Sequence, residues 1–290
     1  MGEWVLGIIG GSGLYDIEGL EDRASVEVET PWGEPSDALL TGRIGDVRLV
    51  FLPRHGRGHR IPPSQLNYRA NIDALKRCGC TDVISLSAVG SLREELPPGT
   101  FVMVDQFIDR TFARESSFFG HGLTAHVSMA DPVCPRLAGL AAEAALGAGA
   151  RVVEGGTYLA MEGPQFSTRA ESELYRTWGC HVIGMTNMPE AKLAREAELP
   201  YACVAMVTDY DCWRPDTAHV EVAQIQACLQ DNAERAANLV VRLARGLAGR
   251  PRAPSPIDTG LDGAIITAPA LRDPDLVRKL QAVAGRVLAS

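Results

Sequence analysis

Positive charge is scarce in this chain of 290 residues: 28 Lys and Arg stand against 36 Asp and Glu, a formal net charge of −8 at pH 7. That balance excludes a generic nucleic-acid coat, which works by neutralising phosphates with a basic surface. Aromatic residues make up only 6%, so no stacking surface for single-stranded nucleic acid is evident. No apolar run reaches the roughly 18 residues that a membrane span needs. The start, Met1-Gly2-Glu3-Trp4, has no basic leader, so the expectation is a cytoplasmic protein with no nucleic-acid or membrane partner. Seven cysteines, an odd number without a C-x-x-C spacing, point to reduced thiols rather than a disulfide frame. The Gly-Lys-Ser/Thr of a Walker loop and the H-E-x-x-H of a zinc protease are both missing.

What is present is a globular composition, 46% hydrophobic and 22% charged, which excludes disorder and fibre. Short β-branched runs at Val5–Ile9, Val47–Leu52, Asp82–Leu86, Phe101–Val104, Thr157–Met161, His181–Ile183 and Ala202–Val207 read as strands. Several are apolar on both faces, as in a central sheet covered by helices. Helical periods fall over Ser64–Cys78, Pro135–Ala148, Ser167–Trp178, Met188–Glu198, Val220–Arg245 and Asp273–Leu288. The expected fold class is therefore α/β, one domain over residues 1–248 with a mixed sheet flanked by helices. A Pro-rich link, Gly249-Arg-Pro-Arg-Ala-Pro-Ser-Pro256, leads to a C-terminal helical arm over 249–290 that packs on this domain or on a partner subunit. There is no internal repeat.

The chemistry-bearing residues sit at strand exits. Gly7-Ile-Ile-Gly10-Gly11-Ser12-Gly13-Leu14 lacks the G-x-G-x-x-G spacing of a dinucleotide site; its amides and Ser12 hydroxyl either face an oxyanion or form a plain tight turn. Pro53-Arg54-His55-Gly56-Arg57-Gly58-His59-Arg60 places three Arg and two His in eight residues. Arg57 and Arg60 read as a solvated loop, whereas Arg54 and His55 leave the end of a strand, where ligands of open α/β sheets gather. A guanidinium there could hold a phosphate or carboxylate through paired donors. His55 and His59 have a helical metal-pair spacing, but the glycines between them argue against a helix and against metal. Ser85-Leu-Ser87-Ala88-Val89-Gly90-Ser91, Gly184-Met185-Thr186-Asn187 and Met206-Val-Thr208-Asp209-Tyr210-Asp211 also end strands in small or hydroxyl residues. Together they suggest a shared cleft at the carboxyl edge of the sheet. Asp209 and Asp211, at i and i+2, are either a turn or a carboxylate pair in which one member stays protonated. Glu162-Gly-Pro-Gln-Phe166-Ser167 exits another strand with an aromatic that is either core or a stacking face.

Several of these segments, with Arg54-His-Gly-Arg57, Asn67-Tyr-Arg-Ala-Asn71, Gly90-Ser-Leu-Arg-Glu-Glu95, Asp105-Gln-Phe-Ile-Asp-Arg110, Arg176-Thr-Trp-Gly179 and Thr208-Asp-Tyr-Asp-Cys-Trp213, resemble the 5′-methylthioadenosine phosphorylases of the trimeric purine nucleoside phosphorylase superfamily. The resemblance runs in order from about residue 5 to about residue 245. It implies phosphorolysis: inorganic phosphate, a co-substrate, attacks the anomeric carbon and the purine leaves, with no metal or organic cofactor. By position it implies phosphate contacts at Ser12, Arg54, His55, Ser87, Ala88 and Thr186, with Ala88 giving its backbone N–H. Met185 would pack on the ribose, Phe166 and Ser167 would line the base pocket, and Asp209 and Asp211 would be catalytic and read the purine.

An N-glycosidic bond breaks through an oxocarbenium-like state, so the site must hold an anion at the sugar and neutralise charge building on the base. A protonated Asp209 could donate to purine N7 while its other oxygen accepts from a 6-amino group. Relatives that use 6-oxopurines carry Asn at this position, so the resemblance implies adenine; a 6-oxopurine nucleoside or methylthioinosine phosphorylase is the alternative. At the 5′ end the family pocket is apolar. Val222 and Ile225 would line it, with His126 from a neighbouring subunit, whereas Gln226 departs from the family's apolar pattern. That departure opens 5′-deoxyadenosine or adenosine as further substrates. The implied assembly is a homotrimer, or a hexamer of two trimers, in methionine and purine salvage.

Overall fold

The computed structural model describes residues 3–11, 17–214 and 222–288, the side chains of 222–226 excepted. Eleven strands form one forked sheet. In chain order they are β1 (Val5–Gly10), β2 (Glu21–Val26), β3 (Leu39–Ile44), β4 (Val47–Pro53), β5 (Asp82–Ser91), β6 (Thr100–Val104), β7 (Gln106–Arg110), β8 (Arg151–Glu154), β9 (Thr157–Met161), β10 (Val182–Gly184) and β11 (Tyr201–Asp209). The helices are α1 (Tyr68–Arg77), α2 (Pro135–Gly147), α3 (Arg169–Thr177), α4 (Asn187–Glu196), α5 (Val222–Leu247), α6 (Pro274–Lys279) and α7 (Gln281–Leu288).

Strand alternation decides the layers. Along β5, Val83 and Val89 pack on one face with Ile72 and Leu75 of α1 and Leu193 of α4. Ile84 and Leu86 pack on the other with Leu137 of α2 and Leu239 of α5. β11 divides the same way, Cys203, Ala205 and Val207 against Ala202, Val204 and Met206. A period of two with apolar residues on both faces gives a sheet covered on both sides, as expected for an α/β domain.

The fork is at β5. One edge of β5 runs parallel to β11 from Val83 to Gly90. On its other edge, β1 pairs parallel with Asp82 through Ser85 only, and β10 pairs antiparallel with Gly90 and Ser91 only. Leu86, Ser87, Ala88 and Val89 therefore have no strand on that edge, and a gap opens there between the ends of β1 and β10. The flanking β4 ends at Pro53, opposite Gly10 of β1.

Three helix boundaries differ from the sequence expectation for physical reasons. Pro63–Gln65 forms a separate 3₁₀ turn, and α1 begins only after Asn67, whose side chain accepts from Ala70 N. α3 is capped by Thr168 rather than Ser167, in a reciprocal box with Glu171. The expected single helix over 273–288 divides at Leu280, a fully buried residue that closes α6. β2, β3, β7 and β8 are additional strands; β2 reads exposed along nearly its whole length, so it lacks the apolar pattern that would mark it.

The segment after residue 249 packs on the rest of the same chain. Arg252 Nε donates to Asp82 Oδ2 at 2.5 Å, at the start of β5. Leu261 N donates to Glu198 Oε1 at 2.9 Å, and Arg286 pairs with the same carboxylate. Leu261, Leu280, Val283 and Ala284 join the α1 and α4 core. No helix among the described residues is long and apolar enough to cross a membrane.

Candidate active site

A cavity of about 550 Å³ occupies the gap beside β5. Arg54, His55, Ser87, Ala88, Phe166, Met185, Thr186, Asp209 and Asp211 all line it. Nine of the residues singled out by sequence thus meet in one place, from within β5 and from the ends of four other strands. Ser167 does not line it: its hydroxyl donates to Met161 Sδ at 3.4 Å, behind Phe166. His126 is exposed and off the cavity wall, its N–H on Ala264 O at 2.9 Å. Ser12 and the side chains of Val222, Ile225 and Gln226 lie outside the described residues.

At one end the donors are hydroxyls, a cation and an open backbone edge. Ser87 Oγ lies 3.3 Å from Thr186 Oγ1 and 3.2 Å from Tyr158 Oη. Thr186 follows β10, and the backbone is still extended at Met188, so the regular turns of α4 begin only after it. Arg54 is buried and donates to Leu86 O at 3.1 Å, while Leu92 N donates to His181 O at 2.9 Å beyond the gap. Even-numbered residues of β5 therefore direct their backbone groups to the open edge, and Ala88 N–H is among them. Ala88 is also exposed within an otherwise largely buried strand.

His55 and His59 follow Arg54 in a turn with Gly56 at φ 70°, Gly58 at φ 77° and His59 itself at φ 55°. That left-handed path is the one glycine permits, so the two histidines are not on a helix. The two rings stack at 4.1 Å and 15°. Burial, then the Arg54 charge, pushes the His55 imidazole down to about 4. His55 is thus neutral near pH 7; it donates from Nδ1 to Ile61 O at 2.8 Å, leaving Nε2 as an acceptor. Among the described residues no group of three His, Cys, Asp or Glu could hold a metal.

The opposite end is acidic. Asp209 Oδ2 accepts from Thr208 Oγ1 at 2.7 Å, and its Oδ1 accepts from Asp211 N at 2.7 Å. Asp211 Oδ2 accepts from the buried Ser172 hydroxyl of α3. Burial lifts the Asp211 carboxyl above the usual carboxylate range; the Ser172 hydrogen bond opposes this and the Asp209 charge reinforces it. Only glycine fits at position 90 without displacing neighbours, since a Cβ there would lie 3.1 Å from Asp209 Oδ1 and 3.2 Å from Ile183 Cγ2.

Between the ends stand Met185 and Phe166, the latter 82% exposed at the rim. Met185 is held by contacts that sequence reasoning missed. Arg114, its side chain 1% exposed, donates to Met185 O and Met188 O, both at 2.6 Å, and to Tyr68 Oη at 2.8 Å. It also donates to Glu162 O at 2.6 Å and Glu162 Oε1 at 3.2 Å. One guanidinium thus ties the exits of β9 and β10 to α1. Glu190 and the α5 residues Leu229, Asn232 and Ala233 were likewise missed. Glu190 meets Arg54 across 136 residues of sequence, and no local pattern carries such a pairing.

A family model described as the phosphorylase superfamily matches residues 5–245. The chain is 63% identical over 285 residues to the S-methyl-5′-thioadenosine phosphorylase of Cereibacter sphaeroides, covering 98% of each. It is similar to the crystal structure of a methylthioadenosine phosphorylase from an antarctic soil metagenomic library, at 45% identity and TM-score 0.92 over 97% of this chain and 99% of that one. It is also similar to an adenosine/methylthioadenosine phosphorylase variant from Schistosoma mansoni in complex with adenine, at 36% identity and TM-score 0.80 over 86% and 93% of the two chains. With a family model matching residues 5–245 and near-complete coverage by these relatives, the chain belongs to the phosphorylase superfamily.

Proposed function

We propose that this protein catalyses phosphorolysis of S-methyl-5′-thioadenosine, giving adenine and S-methyl-5-thioribose 1-phosphate. The observation that carries the reading is the polarity of the cavity. Hydroxyls, a guanidinium and an open backbone edge stand at one end, a carboxyl pair at the other, and Met185 and Phe166 between. The activities named for the relatives point the same way.

Phosphate is held at the first end by Ser87, Thr186, Arg54 and the Ala88 N–H, and the family resemblance adds Ser12. His55 Nε2, an acceptor, takes a hydrogen bond from a phosphate hydroxyl. A phosphate oxygen forms the bond to C1′ as the C1′–N9 bond breaks, and the electron pair passes to the purine. Burial holds the Asp211 proton more firmly than usual, and the Asp209 and Asp211 carboxyl pair lends a proton to N7, neutralising the leaving group. Its remaining oxygen accepts from the 6-amino group, which selects adenine over a 6-oxopurine. Phosphate is itself the nucleophile, so no step passes through a metal or organic cofactor.

In this reading the enzyme serves methionine and purine salvage in the cytoplasm, as a homotrimer or a hexamer of two trimers. By the family resemblance, His126 from a neighbouring subunit would join Val222 and Ile225 at the 5′ end. Sedimentation mass checks the assembly. The activity is tested by adenine release from S-methyl-5′-thioadenosine with and without phosphate, beside methylthioinosine, adenosine and 5′-deoxyadenosine. Phosphate-dependent release that favours the methylthio adenine nucleoside is expected; preference for methylthioinosine overturns the base assignment, and release without phosphate overturns the reaction.

A further inference from the structure

A guanidinium carries five N–H donors, and in Arg54 most are committed inside the protein. Nε donates to Glu190 Oε2 at 2.9 Å and Nη2 to Glu190 Oε1 at 3.2 Å. Nη2 also donates to Ser85 Oγ, and Nη1 to Leu86 O at 3.1 Å. One Nη1–H is left for the cavity that Arg54 lines. The two-point fork that suits an oxyanion grips a carboxylate of the same chain instead.

Glu190 is fixed in turn. It lies in the first turn of α4, and the Tyr201 hydroxyl donates to its Oε1 at 2.7 Å. Asn187 Nδ2 donates to Tyr201 Oη at 2.6 Å and to Ser85 Oγ at 3.0 Å, closing the network. The Arg54 and Glu190 side chains are 4% and 3% exposed. Burial opposes the Arg54 charge, and the Glu190 carboxylate more than offsets it, so the cation persists.

We propose that Glu190 is a positioning residue that sets the anion affinity of the site, holding the fork of Arg54 turned inward so that phosphate meets one fixed N–H of a charge-compensated guanidinium. The proposal rests on the reading of this end as the phosphate site. A free, desolvated guanidinium would bind phosphate tightly, but the sugar phosphate product carries the same group and would be retained equally. Binding that is equal in substrate and product does not speed the chemical step. Glu190 keeps the cation in place while limiting its grip, so that the product leaves.

The test is titration calorimetry of inorganic phosphate into the wild-type enzyme and Glu190→Gln, with kcat and inhibition by S-methyl-5-thioribose 1-phosphate measured on both. Glu190→Gln keeps the shape and removes the charge. Phosphate and sugar phosphate should each bind about tenfold more tightly or better, the scale of one charge lost beside an anion, while kcat falls. A purely structural role does not tighten anion binding. Wild-type phosphate binding with equal or weaker binding in folded Glu190→Gln overturns the proposal and leaves the phosphate site standing. A wild-type enzyme that binds no phosphate overturns both. Should Glu190→Gln not fold, Glu190→Asp decides, because it keeps the charge and shortens the reach. The retained charge should then hold phosphate and product affinity within about twofold of wild type, and a larger change in either overturns the proposal.

Discussion

Asp209 leaves β11 with a hydroxyl donor on one oxygen and a backbone donor on the other, beside an Asp211 carboxyl whose proton is held more firmly than usual. Such a pair can present an acid and an acceptor side by side, the pattern that complements N7 and the 6-amino group of adenine. Asp209→Asn replaces one of its two oxygen acceptors by an amide donor. The ratio of kcat/KM for S-methyl-5′-thioadenosine over methylthioinosine should then fall by about 10- to 100-fold, because a buried donor–acceptor mismatch costs about 1–3 kcal/mol. Unchanged selectivity would show that the base is read elsewhere. The sequence placed these residues at the end of an apolar strand, but it was the family resemblance that assigned them to the base. Arg114 and Glu190 were not legible: both act through partners distant in sequence, and a lone Arg or Glu between ordinary neighbours carries no mark of burial.

Elements were legible in proportion to their burial. β1, β4, β5 and β11 are apolar on both faces and were found where their patterns lie, whereas β2, with exposed side chains along most of its length, and β8, with exposed ends, show no apolar run to find. Helix starts failed where a cap competed with a neighbour of similar chemistry, as at Ser167 and Thr168. α3 matters to the site because it carries Ser172 to Asp211, and its start is fixed by the box in which Thr168 accepts from Glu171 N at 3.2 Å and donates its own N–H to Glu171 Oε2 at 2.7 Å. Thr168→Ala should lower unfolding stability by about 1 kcal/mol, the ordinary cost of a lost cap. Ser167→Ala should cost less than half of that, since Ser167 makes no capping contact. Equal losses in denaturant melts would mean that the helix begins one residue earlier.

For the molecule as a whole, two buried groups pull stability in opposite directions with pH. Burial lifts Glu196 to about 7 from an ordinary 4.5, against the hydrogen bonds it accepts from Phe118 N and Ser117 Oγ. Its contribution is complete below pH 4.5 and is lost as pH rises toward 7. His55, pushed down from 6.5 to about 4, contributes fully above 6.5 and loses that as pH falls toward 4. The slopes oppose one another across most of the same window. Glu196→Gln removes only the first, so between pH 4.5 and 7 the variant's unfolding free energy should gain on wild type by on the order of 2 kcal/mol. A constant difference across urea melts at those pH values would show that Glu196 keeps an ordinary proton affinity. The fork in the sheet reaches further. Ala88 lies mid-strand in a buried sheet and yet has no strand beside its amide, so in the free enzyme that amide should exchange its hydrogen for solvent deuterium far faster than those of Ser87 and Val89, which face β11. Phosphate should slow Ala88 selectively, which makes this single amide a clock for occupancy of the site that runs without any turnover of nucleoside.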